Sequence, residues 1–211
     1  MIIINFKAYR QATGQEAEEL NQKIEKARKK TDKEIVVSPA TADLNRIDSD
    51  KMYSQHIDPV NPGSHTGHTT VKTVKEAGAE GTLLNHSERR LEDDKLKESV
   101  MMANDKGLTT VVCAQNPEEC GKYAEYNPDY IAYEPPELIG GDTSVSSAKP
   151  GLIEEAVEKA GDTTVLTGAG IKSREDVEKS TELGCEGVLV ASGVVKSEDP
   201  FEEVLELCEG L

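Results

Sequence analysis

Residues 163–194 read TTVLTGAGIKSREDVEKSTELGCEGVLVASGV, in the order strand, turn, helix, strand, turn. The β-branched run 163–167 favours extended backbone, and Gly168-Ala169-Gly170 ends it in a tight turn. Ser173 with Asp176 three residues on is the pattern of a helix N-cap and its reciprocal acid. A second apolar run, 187–191, closes on Ser192-Gly193, so the two strand starts lie 187 − 163 = 24 residues apart. Two strands joined through a helix by short loops form a parallel unit.

Outward from this stretch the same unit recurs. Candidate strands are 2–5, 34–38, 51–55, 81–85, 109–113, 130–133, 163–167 and 187–191, eight in all. Ala17, Leu20, Ile24 and Ala27 recur at helical spacing and predict an amphipathic helix packed on the sheet. Its charge order fits the helix dipole, with Glu16, Glu18 and Glu19 near the start and Arg28, Lys29 and Lys30 at the end. Leu96, Val100 and Ala103 predict another such stripe, and Pro150 and Asp199-Pro200 are helix-start signals. The run 51–55 is the most polar strand, and the helices near 41–47 and 117–125 are short. Sharing 211 residues among eight units leaves about 26 each, and a (β/α)8 barrel needs at least roughly 200. The expected architecture is a single α/β domain over 1–211, a barrel near its minimum length, against the alternative of an open doubly wound sheet.

The residues that follow each strand favour closure. Asn5 and Lys7 end the first strand, Gln55-His56 the third, Asn85-His86 the fourth, Glu134 the sixth, Gly168-Ala169-Gly170 the seventh and Ser192-Gly193 the eighth. A barrel gathers all of these on one face, whereas an open sheet spreads them. Two adjacent glycine turns after strands seven and eight form the recurring phosphate position of barrels, although the full dinucleotide fingerprint is missing. Glu134 ends an apolar strand and precedes Pro135-Pro136 and a long connection to residue 149 containing Gly140-Gly141, the layout of a hinged lid over a desolvated base. His86 before Ser87-Glu88-Arg89-Arg90 reads as a helix entry, where the dipole disfavours imidazolium and leaves a neutral donor. Taken singly, these are also the patterns of a surface lysine, a solvated glutamate and a capping histidine.

Composition removes other classes. A formal charge of 24 − 40 = −16 excludes nucleic acid and anionic membrane surfaces as partners. No run nears the roughly 20 apolar residues of a membrane span, and Met1 leads into Ile2-Ile3-Ile4 without a basic leader, so a cytoplasmic location is expected. Cys113, Cys120, Cys185 and Cys208 fit no zinc or redox spacing and are expected to be reduced thiols. His65 and His68, with His56 nearby, lack a carboxylate at metalloprotease spacing, so no metal is expected.

With these residues assembled, the sequence resembles triosephosphate isomerase, the shortened archaeal type in particular. The resemblance is carried by Asn5-Phe6-Lys7, by Gln55 to Asp58, by Pro62 to His68, by Gly81 to Arg90, by Tyr130 to Val145, by Gly168 to Ile171 and by Leu189 to Val195, in order along the chain. It implies a TIM barrel that interconverts dihydroxyacetone phosphate and D-glyceraldehyde 3-phosphate through an enediolate, in glycolysis and gluconeogenesis. It implies Glu134 as the proton shuttle and His86 as the electrophile. Asn5, Phe6 and Lys7 would contact substrate, the Lys7 ammonium offsetting the enediolate charge. Glu88 would orient its neighbours from behind. Ile139, Gly140, Gly170, Ala191, Ser192 and Gly193 would hold the phosphate. The loop containing Thr66 would reach a neighbouring subunit, implying a homodimer or homotetramer. No cofactor is implied. Alternatives are a barrel isomerase for a larger sugar phosphate and a non-catalytic barrel with an interaction role, the second disfavoured by the joint presence of Asn5, Lys7, His86 and Glu134.

A phosphate dianion approaching a chain of charge −16 meets long-range repulsion. If the acids lie on outer helices, substrate capture and stability should both rise with salt, as the screening length falls from about 10 Å at 0.1 M to about 3 Å at 1 M. Salt titrations of kcat/KM and of the unfolding midpoint test this, and a monotonic fall in both contradicts it.

Overall fold

The computed structural model describes residues 1–138, 146 and 149–211. Its strands are β1 Ile2–Asn5, β2 Ile35–Ser38, β3 Tyr53–Ser54, β4 Gly81–Leu84, β5 Thr109–Ala114, β6 Tyr130–Tyr133, β7 Thr164–Thr167 and β8 Val188–Val190. All pair in parallel, in the order β2-β1-β8-β7-β6-β5-β4-β3. The two ends meet through one bridge, Val37 to Met52, with the Val37 N–H donating to the Lys51 carbonyl at 3.2 Å. The result is a nearly closed (β/α)8 TIM barrel, as expected from the eight repeated units.

Strand alternation divides the core in two. Ile2 and Ile4 join the layer between barrel and helices, while Ile3 joins an inner cluster with Val36, Tyr53, Leu83, Val111, Cys113, Ala132, Leu166 and Leu189. Successive side chains of a strand point to opposite faces. Asn5, Gln55, Glu134 and Gly168, each two residues beyond an inner-cluster member, therefore share the inward parity at the strands' C-terminal ends.

The third strand is shorter than expected, two residues instead of 51–55. Its polarity is accommodated: the Ser54 hydroxyl donates to Thr82 Oγ1 at 2.8 Å, and Thr82 donates onward to the Leu83 carbonyl at 2.9 Å. Tyr53 is fully buried and fills the barrel interior opposite Gly81, where a Cβ would stand 2.6 Å from the tyrosine ring. The glycine is there because the ring occupies its side-chain space.

The helices are α1 Gln15–Arg28, α2 Val71–Glu76, α3 Asp93–Asp105, α4 Pro117–Ala124, α5 Pro150–Ala160, α6 Arg174–Glu182, α7 Ser192–Val195 and α8 Pro200–Glu209. In α1 the predicted stripe Ala17, Leu20, Ile24 and Ala27 is buried, a fully buried Leu or Ile contributing roughly 1.5–3 kcal/mol. The shortened elements are real: Thr41–Arg46 is a 3-10 turn, and the eight-residue α4 buries Cys120 and Tyr123. The Ser173 cap accepts the Asp176 N–H at 3.3 Å, but only half of the reciprocal box forms, because the Asp176 carboxylate takes the Lys172 N–H at 3.1 Å instead. Asp199 caps α8 by accepting from Phe201 N at 3.2 Å. All four cysteines are buried and unpaired with one another. Glu16, Glu19, Asp93, Asp94, Glu98, Glu202 and Glu206 are exposed on helices, so much of the negative charge lies on the outer layer.

Candidate active site

At the C-terminal mouth of the barrel, β1, β6, β7 and β8 and the loop after β4 surround a cleft that opens to solvent. Asn5, Lys7, His86, Glu134, Gly170, Ala191, Ser192 and Gly193 all line it. Phe6 does not. Its opposite strand parity buries it completely in the layer between barrel and helices, which corrects its expected place among substrate contacts. Ile139, Gly140 and most of the expected lid lie outside the described residues, and Pro136–Leu138 forms a 3-10 turn just after Glu134.

Glu134 is only 3% exposed, and its Oε2 has no hydrogen-bond partner. Burial raises its carboxyl above the ordinary value, against the opposing pull of His86, the Cys113 thiol and the Lys7 ammonium. Cys113 is itself held well above its usual value by burial, so it remains a thiol able to donate to the carboxylate. Its contact was missed in the sequence, although Cys113 shares the inward parity of Val111. Gly168 makes the space: a Cβ there would overlap Glu134 Cγ and stand 3.0 Å from Cδ and Oε1.

His86 follows Asn85, whose φ of 62° turns the chain left-handed at the strand end. The Asn85 amide donates to the Cys113 carbonyl at 3.0 Å and accepts the Leu91 N–H at 3.0 Å, which fixes the bend. The expected helix entry is absent. Residues 86–89 form a turn, Arg89 N–H donating to the His86 carbonyl at 2.8 Å, and α3 starts only at Asp93. Within this turn the Glu88 N–H donates to His86 Nδ1 at 3.2 Å. That bond needs a lone pair on Nδ1 and leaves the proton of the neutral ring on Nε2. Nε2 lies 3.6 Å from Glu134 Oε1, beyond hydrogen-bond distance.

Lys7 has a left-handed backbone, φ 50°, with its N–H on Asn5 Oδ1 at 2.9 Å. Its ammonium lies 3.1 Å from Glu88 Oε1. The lysine side chain is 10% exposed against 61% for the glutamate, so the pair sits at the rim with the cation inward. Glu88 thus meets both Lys7, through its carboxylate, and His86, through its N–H. Opposite, Gly170 at φ 70° and the start of α7 at Ser192 and Gly193 form the other wall. The first N–H groups of a helix lack internal partners and suit an anion. Tyr9 and Lys172 also line the cleft, and the Lys196 ammonium lies 4.4 Å over the Tyr9 ring. No signal in the sequence distinguished these three.

Thr66 lies elsewhere, in an exposed loop, Asn61 to His68. The Asp58 N–H donates to the Thr69 carbonyl at 2.8 Å, and Asp58 Oδ2 accepts the Thr69 N–H at 2.6 Å, so the loop is closed at its base. His56 turns its Nε2 to Asp58 Oδ1 at 3.1 Å, away from His65 and His68, whose rings meet edge-on 5.6 Å apart.

The chain matches the family model described as triosephosphate isomerase over residues 1–209. Similar curated proteins carry that name. One from Methanothermus fervidus is 41% identical over 98% of this chain and 96% of its own length. One from Thermoplasma volcanium is 42% identical over 98% of both. One from Methanopyrus kandleri is 42% identical over all of this chain and 97% of its own length.

Gly168→Ala is expected to keep the barrel, by circular dichroism, and to displace the Glu134 carboxyl in a crystal structure by about 1 Å, enough to cost on the order of 100-fold in rate at a reacting group. An undisplaced carboxyl beside the added methyl would overturn the steric account.

Proposed function

The chain belongs to the triosephosphate isomerase family, whose activity is the interconversion of triose phosphates in glycolysis, and on that premise we propose how its residues divide the work. Glu134 takes a proton from C1 of dihydroxyacetone phosphate through its carboxylate. The freed electron pair forms the C1–C2 double bond, and charge moves to the C2 oxygen. His86 Nε2–H and the Lys7 ammonium meet that charge. Transfer of the C1 hydroxyl proton to the C2 oxygen, with His86 beside both, and return of the carbon-derived proton from Glu134 to C2 then yield glyceraldehyde 3-phosphate, with C1 left as the aldehyde carbonyl. The observation that carries this reading is a desolvated, half-unpaired carboxylate 3.6 Å from an imidazole whose tautomer is held by a backbone N–H. The N–H groups around Gly170, Ser192 and Gly193 hold the phosphate, with Asn5 beside the reacting carbons. The proton moves between adjacent carbons of one substrate, so the assignment calls for no cofactor or metal. The 211 residues act as one unit in the cytoplasm. The buried thiols fit a reducing compartment, and among the described residues no helix is long and apolar enough to cross a membrane.

The assembly is a homodimer or homotetramer in which Thr66 enters the neighbouring subunit's site. Eight consecutive exposed residues on an anchored base support this. Thr66→Arg should yield smaller particles by sedimentation velocity together with reduced turnover, and an unchanged sedimentation coefficient would count against the loop as interface.

A coupled assay with glyceraldehyde 3-phosphate tests the mechanism. Glu134→Gln should lose several orders of magnitude in kcat, and near-normal turnover removes Glu134 from it. The same variant should gain stability at neutral pH. The folded carboxyl has a raised pKa, so its contribution to stability is intact below the unfolded value of about 4.3 and is lost as pH rises through the folded value. Melting curves should separate variant from wild type at pH 7 to 8 and converge near pH 4; a pH-independent difference would contradict this.

A further inference from the structure

Lys7 carries a conformation that a lysine does not adopt unaided. Its φ of 50° lies in the left-handed region, which is strained for a residue with a Cβ and persists only where the surroundings fix it. The bond from its N–H to Asn5 Oδ1 spans two residues of the same segment and moves with it. The tie to Glu88 acts at the far end of a flexible side chain. Neither fixes the Lys7 backbone against the barrel.

Gln55 does. Its Nε2 donates to the Lys7 carbonyl at 3.1 Å and to the Ser38 carbonyl at 3.0 Å. Both partners are acceptors, so only the NH2 end of the amide can face them, and both of its protons are used. The Ser38 carbonyl also accepts the Phe6 N–H at 3.0 Å, so the backbone on either side of Phe6-Lys7 is tied to one short span. Gln55 stands immediately after the two-residue β3, at the seam where β2 and β3 share one bridge. It therefore joins the ends of three strands where the sheet itself contributes least.

We propose that Gln55 is a positioning residue of the isomerase reaction: it clamps the Lys7 carbonyl so that the left-handed backbone is held and the ammonium stays aimed into the cleft. The inference rests on the substrate role assigned to Lys7 above. Gln55 lies outside the residues lining the cleft and acts through Lys7 alone.

The test is a double-mutant cycle in kcat/KM with glyceraldehyde 3-phosphate, using Gln55→Met, which keeps the bulk and removes both donors, Lys7→Ala, and the double variant. Gln55→Met should lower kcat/KM by about 10- to 100-fold in the parent, the scale of a group displaced by a fraction of an ångström to an ångström. In the Lys7→Ala background it should cost nothing further. Equal losses in both backgrounds would show a general effect on the barrel and overturn the clamp. Full activity in Lys7→Ala would instead overturn the role of Lys7, and the proposal with it, whatever Gln55→Met does. The isosteric Gln55→Glu provides a second reading if the methionine variant fails to fold. Only its protonated acid can donate to a carbonyl, so its activity relative to wild type at each pH should climb as pH falls. A flat ratio would overturn the clamp.

Discussion

Taking a carboxylate out of water without giving it partners is costly, and this barrel does so at Glu134. An unpaired buried charge is unfavourable by several kcal/mol unless its neighbours hold it or it becomes protonated. The surroundings supply partial compensation: a thiol from β5, an ammonium from the segment after β1, and an imidazole from the loop after β4. None of these saturates Oε2. The carboxyl keeps a raised basicity beside the cleft that Glu134 lines, the property that the proposed proton abstraction from carbon requires. Gly168 is the steric counterpart, since any side chain there would occupy the volume the carboxylate needs.

Charge works on two length scales. The chain as a whole is strongly anionic, and many of its acids sit exposed on the helical layer, where salt screens them. Near the mouth the order reverses. Lys7 points inward while Glu88 stays in solvent, Lys172 lines the cleft, and Lys196 rests on Tyr9 at its edge. A small dianion that reaches the cleft meets cations and helix N–H groups, whereas an extended polyanion would lie across the acidic exterior.

Periodicity made the fold legible, because each strand and helix buries its stripe by the same rule. Strand ends were harder to read. The third strand shrank to Tyr53–Ser54, and whether Lys51 and Gln55 join the ladder depends on partners in β2 that a local pattern does not contain. His86, Glu134 and Lys7 were legible as polar groups ending apolar runs. The local structure at His86 was not: a helix entry was expected, and a turn whose Glu88 N–H donates to the ring takes its place. Phe6 was misread because adjacency to Asn5 and Lys7 hid its opposite parity. Cys113 was overlooked for the converse reason, since its parity aims it at Glu134 while its residue type reads as core.

The short third strand and the strained Lys7 meet at one feature. A minimal barrel has little ladder to spare, and where β2 and β3 nearly part, a side-chain amide stands in for backbone pairing. Two hydrogen bonds of about 1 kcal/mol each are comparable with the cost of one left-handed lysine. The seam and the Lys7 backbone therefore share their restraint. A longer third strand with more ladder bonds would steady the seam without Gln55, but it would not by itself reach the Lys7 carbonyl. This makes the glutamine the more economical solution for a chain of this size.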